Sequence, residues 1–208
     1  MLGVAVGVFG VSFGLVAVTS GLSPAKACAM SLLVFTGASQ FAAVGVVAAG
    51  GSPAAALASA LFLAARNGVY GLAMSPILSG RLPRRLVAAQ LVIDESTALA
   101  TAQPDRATQE KAFWAGGLGV FVFWNIGTLV GALGGRLIGD PRTWGLDAAF
   151  PAAFVALLVP HLRKVGGRDA ALLGGVIALV LSPLLPAGIP IVLAALASAV
   201  GLRRGSAR

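Results

Sequence analysis

Residues 27–65 read ACAMSLLVFTGASQFAAVGVVAAGGSPAAALASALFLAA and contain no charged side chain. A helix that crosses a membrane needs about 20 consecutive apolar residues, so this stretch is long enough for two crossings. It also contains a break, because residues 50–53 (GGSP) are of the types that end helices and form turns. The stretch therefore predicts two membrane-embedded helices joined by a tight turn.

The rest of the chain has the same character. Of its 208 residues, 58% are hydrophobic and 11% are charged, and the mean hydropathy is +0.93. A soluble domain carries about 25% charged residues, which it needs to cover its surface. This composition argues against a soluble enzyme, a disordered tail and a nucleic-acid-binding domain. It predicts an all-α, polytopic integral membrane protein with one membrane-embedded domain over residues 1–208.

Apolar runs and the breaks between them predict seven to eight helical elements. The last three are short for a hydrocarbon core about 30 Å thick, so they are expected to be tilted half-helices or a re-entrant hairpin. The predicted elements cover approximately residues 3–20, 25–49, 53–79, 86–102, 112–134, 147–160, 169–182 and 190–202.

Positive charge predicts the orientation. Residues 80–86 and 203–208 each carry three arginines, so both segments are expected on the cytoplasmic side. The loop at 103–111 has balanced charges and indicates no side. If every element crossed, the two basic segments would lie on opposite sides. One element in the second half is therefore expected not to cross, and 147–160 is the candidate.

Glycines recur at helical spacing in the first and fifth elements. Small residues let membrane helices approach closely, so we expect these stripes to serve packing, within the chain or against a partner, rather than to line a substrate path. The two stripes are Gly3, Gly7, Gly10 and Gly14, and Gly127, Gly131 and Gly135.

Charged residues occur inside two of the predicted elements. Arg66 lies near the centre of the third element, and Asp94 and Glu95 lie near the centre of the fourth. The short turn between these elements predicts antiparallel neighbours, with Arg66 and Asp94 about 8 Å apart in depth. We therefore expect a buried pair of Arg66 with Asp94 or Glu95. The alternative is that the fourth element lies outside the membrane and its carboxylates are hydrated.

The acidic pair is also the candidate for proton coupling. Asp94 and Glu95 are the acidic residues placed inside an apolar element, whereas the others fall in predicted loops or at element ends. Ionisable groups within a membrane usually mark a transport pathway.

Polar residues interrupt the second element at 35–41 (FTGASQF). Unwound helix centres bind substrates in many transporters, through freed backbone groups and helix-end dipoles. The alternative is a continuous helix whose hydroxyls bond their own backbone, and both interpretations stay open. Two side chains beside Arg66 add donors and acceptors, and Asn125 is a weaker candidate. The candidate substrate-binding residues are Thr36, Ser39, Gln40, Arg66, Asn67 and Tyr70.

The sequence offers little for enzymatic chemistry. Cys28 is the single cysteine and His161 the single histidine, so neither a disulfide nor a Cys/His metal site is expected. Ser39 and His161 would be the members of a protease dyad, but no Gly-x-Ser-x-Gly elbow is present. No Walker A motif is present either. We expect no enzyme activity, no cofactor and no ATP bound by this chain.

Five segments form an ordered pattern along the chain: 21–24 (GLSP), 31–41 (SLLVFTGASQF), 66–71 (RNGVYG), 94–95 (DE) and 145–160 (GLDAAFPAAFVALLVP). In this order they resemble the AzlC family, the large subunits of branched-chain amino acid exporters of the LIV-E type. The resemblance runs over nearly the whole chain.

Around Arg66 the family pattern is Asn-x-Arg-His-x-x-Tyr. Arg66 and Tyr70 match it, whereas Ala64 and Asn67 depart from it, so the resemblance implies a role for Arg66 and Tyr70 alone. Family members begin a little upstream, so the chain is expected to be shortened at its N-terminus. The resemblance also implies a separate small hydrophobic membrane subunit of the AzlD type.

Together these observations predict a permease of the bacterial inner membrane. The resemblance supplies the substrates, L-valine, L-leucine and L-isoleucine, exported in exchange for protons. The alternatives are a transporter of another small neutral solute, or a structural subunit whose charges fix packing while a partner carries the pathway. A central cavity that reaches Ser39, Arg66 and Asp94 favours transport, and a filled centre favours the structural subunit.

Overall fold

The computed structural model describes residues 2–137, 155, 158–159, 162–163, 165–186 and 188–197. The regular elements in these ranges are all α-helices, as predicted. Three of them, α1, α4 and α7, are long and apolar enough to cross a membrane. The helices are α1 (Leu2–Thr19), α2 (Pro24–Val34), α3 (Ala38–Ala48), α4 (Pro53–Met74), α5 (Leu82–Gln90), α6 (Asp94–Thr101), α7 (Arg106–Leu137), α8 (Val165–Leu181) and α9 (Ile189–Ala195).

Two predicted elements are wrong as single helices. The element at 25–49 is divided into α2 and α3, and the element at 86–102 into α5 and α6. The predicted helix at 112–134 begins earlier, at Arg106, and ends at Leu137. The predicted element at 147–160 lies outside the described residues, apart from isolated positions.

The first break lies at residues 35–37 and is stabilised locally. Phe35 adopts a left-handed conformation (φ 37°), and Gly37 also has a positive φ (58°). The side chain of Gln40 turns back, and its Oε1 accepts hydrogen bonds from the amides of Thr36 (3.3 Å) and Gly37 (3.1 Å). Backbone groups within a membrane need such partners, so the break is a built feature of the fold.

The second break, at residues 91–93, uses a serine in the same way. The Ser96 hydroxyl donates to the carbonyl of Leu91 (2.6 Å) and accepts from the amide of Ile93 (3.1 Å). Both breaks are therefore capped by the third residue of the helix that follows. This second break contains neither glycine nor proline.

Helices α1 and α7 run parallel in close contact along their glycine stripes. A Cβ added at Gly10 would lie 2.5 Å from the carbonyl oxygen of Trp124. Further along, Gly14 faces the carbonyl of Thr128, and Gly131 faces that of Val11, at still shorter separations. The prediction that the stripes serve packing is confirmed, and the contact lies within the chain.

Helices α5 and α6 form a hairpin whose two ends lie on the same side of the molecule. Near the start of α5, Arg84 Nη2 lies 2.7 Å from Oε1 of Glu110, near the start of α7. At the far end of α5, Leu91 packs on Gly117, and Leu99 of α6 comes back against Gly116. Helix α5 therefore runs parallel to α7, α6 runs antiparallel, and the loops before and after the hairpin share one side.

Helices α2 and α3 form a second hairpin, from the opposite side. Helix α2 runs antiparallel to α7, since Ser31 lies beside Thr128 (Oγ···Oγ1 3.1 Å) and Phe35 packs on Phe121 (ring centroids 4.8 Å). Helix α4 ends where α5 begins, next to the start of α7. A short turn joins α3 to α4, so α3 must return to the end of the molecule where α2 began.

The fold consequently contains two similar units of opposite direction. Each unit is a spanning helix followed by a broken hairpin, α1 with α2–α3 and α4 with α5–α6, and the two hairpin tips meet. Inverted units of this kind are common in transporters, with the substrate site where they meet. Two hairpins therefore lie at 25–49 and 82–101, where the sequence predicted single elements. In the described part of the C-terminal half, α8 and α9 are short, as predicted.

Candidate functional site

A cavity of about 190 Å³ lies where the two hairpin tips meet. One wall is apolar and comes from α1 and α7, through Val6, Phe9, Val120 and Trp124. The first tip contributes residues 35–38 and Phe41, and the second contributes residues 93–95; Arg66 of α4 completes the lining. Opposite charges and an apolar surface therefore share one small space.

The predicted pair of Arg66 and Asp94 is confirmed. Arg66 Nη1 lies 3.1 Å from Asp94 Oδ2. The predicted burial is wrong, because the two side chains are 36% and 47% exposed and both line the cavity. The pair forms because Asp94 sits at the tip of a hairpin, rather than halfway along a spanning helix as the sequence indicated.

Glu95 lies beside this pair without joining it. Its side chain is partly buried and lines the cavity, and it forms no ion pair within the described part of the chain. The structure thus distinguishes two carboxylates that the sequence left equivalent. Asp94 is neutralised by Arg66, and Glu95 is left unpaired.

The polar segment of the first tip divides between the cavity and the core. Thr36 lines the cavity, and its hydroxyl is hydrogen-bonded to that of Ser39. Ser39 and Gln40 are 1% and 0% exposed and lie outside the cavity lining. Of the two interpretations of this segment, the unwound one is correct, and Gln40 serves to cap the break. The binding role predicted for these side chains stays a prediction.

Asn67 and Tyr70 do not line the cavity, although they lie close to Arg66 in sequence. The Oδ1 of Asn67 is buried and has no hydrogen-bond partner among the described residues, and Tyr70 packs against the apolar core. Asn125 donates to the carbonyl of Phe121 within its own helix (2.8 Å). His161, the other half of the dyad considered above, lies outside the described residues.

Sequence reasoning missed the aromatic part of the wall. Trp124 stacks on Phe13 (centroids 6.0 Å), and Phe41 packs edge-on against Phe13 (5.5 Å). These residues come from three helices, and no spacing within one helix brings them together. The indole Nε1 of Trp124 is buried, and no residue in the described ranges accepts a hydrogen bond from it, so this wall also holds a donor without a described partner.

Helix ends add to the field in the cavity. Helix α3 begins at Ala38 and α6 at Asp94, and both starts lie in the cavity wall. The N-terminus of a helix carries a partial positive charge, which favours anionic groups. The described residues contain no group of three or more His, Cys, Asp or Glu side chains that could hold a metal ion. The arrangement is suited to a small ligand with both charges and an apolar part.

Comparison with known proteins identifies the family. The family model described as AzlC protein matches residues 2–138, which include every residue of the cavity lining.

The chain belongs to the AzlC family.

Individual relatives of the chain are membrane proteins as well. The chain is 34% identical over 188 residues to an uncharacterized membrane protein of Archaeoglobus fulgidus, which covers 89% of the chain and 82% of the relative. It is 30% identical over 173 residues to an uncharacterized membrane protein of Helicobacter pylori (82% and 75%). It is 30% identical over 165 residues to the inner membrane protein YgaZ of Escherichia coli (74% and 66%). No solved structure matches the chain. This AzlC-family chain is an all-α membrane protein.

Proposed function

We propose that this AzlC-family protein is a multi-pass permease of the bacterial inner membrane that exports L-valine, L-leucine and L-isoleucine. The observation that carries the proposal is the cavity in which Arg66, Asp94 and Glu95 face an apolar wall. Of the alternatives raised by the sequence, a filled centre fits a structural subunit, whereas an open cavity with ionised walls supports transport. The proposal assigns the chain no enzymatic reaction and no ATP.

The cavity offers a partner for each part of a branched-chain amino acid. The substrate carboxylate would bind Arg66 and the start of α3, where the amide of Ala38 lies. The ammonium group would bind Asp94 or Glu95. The branched side chain would pack on Val6, Val120 and Trp124, and pockets for small molecules combine apolar walls and a few polar groups in this way.

The size of the cavity agrees with a small solute. Sites for drug-sized ligands measure about 300–1,000 Å³, and this one measures about 190 Å³. A site that holds both charges of a zwitterion discriminates strongly against analogues that lack one charge, because the protein group that would pair with the missing charge is left without a partner. The same site therefore excludes neutral solutes without an ammonium and a carboxylate group.

Proton coupling would use the unpaired carboxylate. A substrate carboxylate that binds Arg66 competes with Asp94 for the same cation. Asp94 and Glu95 then face each other without full neutralisation, and like charges at close range favour uptake of a proton. Substrate occupancy and protonation would in this way be linked through Arg66.

A small AzlD-type subunit is the proposed partner. Helix α4 supports this, because it is the least covered of the long helices and exposes a continuous apolar strip that includes Leu57, Leu61, Val69 and Leu72. Such a strip suits either lipid or a second membrane helix. Valine export from cells that express the chain with and without the small subunit distinguishes a strip that faces lipid from one that binds the subunit.

Export of labelled L-valine from loaded cells tests the proposal. Cells that express the chain with the small subunit should lose valine faster than cells with an empty vector, and an inward proton gradient should accelerate the loss. Arg66→Gln should reduce export to the background rate. Arg85→Gln, which removes an exposed arginine without an ion-pair partner in the described part of the chain, is the matched control and should export normally.

A further inference from the structure

Helix α2 ends beside α5 with carbonyl groups that its own helix cannot satisfy. The last four carbonyls of any helix lack an intrahelical partner, and lipid offers none. Phe35 turns the chain away in a left-handed conformation directly after Val34. The carbonyls of Leu32 and Leu33 instead accept hydrogen bonds from the Gln90 Nε2 atom, at 2.9 and 3.2 Å. The C-terminal cap of α2 is therefore supplied by α5.

The second hairpin does not depend on the first in this way. At its tip, the carbonyl of Leu91 accepts from Ser96, and the amide of Leu91 is bonded to carbonyls of α5. That tip is satisfied from within its own unit. The bonds from Gln90 cross between the two inverted units, and they lie next to the residues that form the two sides of the cavity.

We propose that Gln90 is a positioning residue that clamps the two hairpin tips together and so sets the width of the cavity. One side of the cavity is the segment that follows α2, at Thr36 to Ala38. The other side is Asp94 and Glu95, which follow Gln90 after a three-residue break. Without the clamp, two carbonyls lose their partners, and the first tip must move to find others. The effect of the Gln90 clamp on substrate binding rests on the proposed transport function.

The chain provides a matched control for the clamp. Gln103 also uses its Nε2 atom to cap a carbonyl, that of Leu99 at 3.3 Å, but within its own helix end. Both Gln90→Met and Gln103→Met therefore remove hydrogen bonds from a side-chain amide to backbone carbonyls. Gln90→Met removes them between the two units, and Gln103→Met removes one within a single unit. Gln90→Lys keeps a donor of similar reach and should restore the clamp.

The distance between the tips tests the clamp independently of transport. Spin labels at Leu33→Cys and Val87→Cys, in a Cys28→Ala background, occupy exposed positions on α2 and α5. In the full chain in lipid nanodiscs, pulsed electron paramagnetic resonance should give one narrow distance distribution. Gln90→Met should broaden it toward longer distances, whereas Gln103→Met and Gln90→Lys should leave it narrow. An unchanged distribution in Gln90→Met overturns the clamp.

Exchange of valine in proteoliposomes tests the link to the cavity. Two hydrogen bonds at about 1 kcal/mol each correspond to a factor of roughly 30 in an equilibrium constant. Gln90→Met should raise the KM for valine by that factor with a smaller change in maximal rate, and Gln103→Met should leave the KM unchanged. Longer tip distances with an unchanged KM would show that Gln90 does not position the site. If the unmodified chain, reconstituted together with the small subunit, exchanges no valine, the proposed function fails, while the distance measurement still decides the clamp.

Discussion

At the scale of single residues, the most demanding group is Arg66. A charged side chain at the centre of a membrane-embedded helix costs about 3 kcal/mol on insertion scales unless a partner or a polar cavity compensates it. Arg66 has both, since it pairs with Asp94 and faces the cavity. The stability of the fold around Arg66 and the proposed function of Arg66 therefore both depend on Asp94.

The pair can be tested by charge removal. Arg66→Ala should lower stability by up to about 3 kcal/mol, because Asp94 is left uncompensated beside Glu95. Arg66→Ala combined with Asp94→Asn should be less damaging, because neither partner remains charged. Thermal unfolding in detergent and abundance in the membrane measure the effect. A double variant that is no better than Arg66→Ala would show that the pairing contributes nothing.

The two carboxylates should separate by function. Glu95→Gln keeps size and removes the unpaired charge, so it should abolish the acceleration of valine export by a proton gradient while the protein stays in the membrane. Asp94→Asn should mainly weaken substrate binding, since it removes a carboxylate that would hold the substrate ammonium group. Export rates between pH 5.5 and 8 check both variants. Normal rates and unchanged pH dependence in both would place proton coupling elsewhere.

The sequence predicted this site in part. Arg66 and Asp94 could be paired in advance because charges inside apolar runs are rare and the connection between them is short. The roles of Ser39 and Gln40 could not be predicted from the sequence. A polar residue near a helix break either faces a ligand or caps the backbone, and only the folded structure shows which of the two it does. Trp124 was missed because its partners come from other helices.

At the scale of elements, the breaks within the hairpins decide the architecture. The first has a signal in the sequence, Gly37 among polar residues. The second lies in Leu91, Val92 and Ile93, which by residue type would continue a helix or strand, and it exists because Ser96 satisfies the freed backbone. Hydropathy alone merges α2 and α3 into one apparent span, because both helices are apolar.

Close packing of α1 on α7 gives a prediction for glycine. In Gly131→Ala the new methyl group would collide with the carbonyl of Val11, a contact with backbone that cannot move aside. We expect a loss of about 1–3 kcal/mol in stability, as for other overpacked sites. Gly134→Ala, on the same helix with open space around it, is the control and should be neutral or slightly stabilising. Thermal unfolding compares the two, and equal effects would contradict the packing.

At the scale of the whole molecule, the two inverted units predict where the loops lie. The ion pair of Arg84 with Glu110 places the loops at 80–82 and 102–105 on one side, which the arginines assign to the cytoplasm. The turn at 49–52 lies on the other side. The sequence-based expectation for residues 203–208, also cytoplasmic, concerns a segment outside the described residues and stays a prediction.

Cysteine labelling checks this topology in a Cys28→Ala background. An impermeant thiol reagent added to intact cells should label Ala54→Cys, and it should label Arg85→Cys and Ala107→Cys only after the membrane is opened. All three positions are exposed. If Ala107→Cys is labelled together with Ala54→Cys, then residues 86–102 cross the membrane and the hairpin is wrong.

Displacement of labelled L-valine from the purified protein tests most directly whether the cavity recognises a zwitterion with a branched side chain. The competitors are L-leucine, 3-methylbutanoate, which lacks the ammonium group, and isobutylamine, which lacks the carboxylate. L-Leucine should compete as well as valine, and each single-charge analogue should bind at least about tenfold more weakly, a difference of roughly 1.4 kcal/mol. In Arg66→Gln, valine should lose its advantage over isobutylamine. Equal competition by either analogue, or unchanged valine binding in Arg66→Gln, would contradict a site built on Arg66, Asp94 and Glu95.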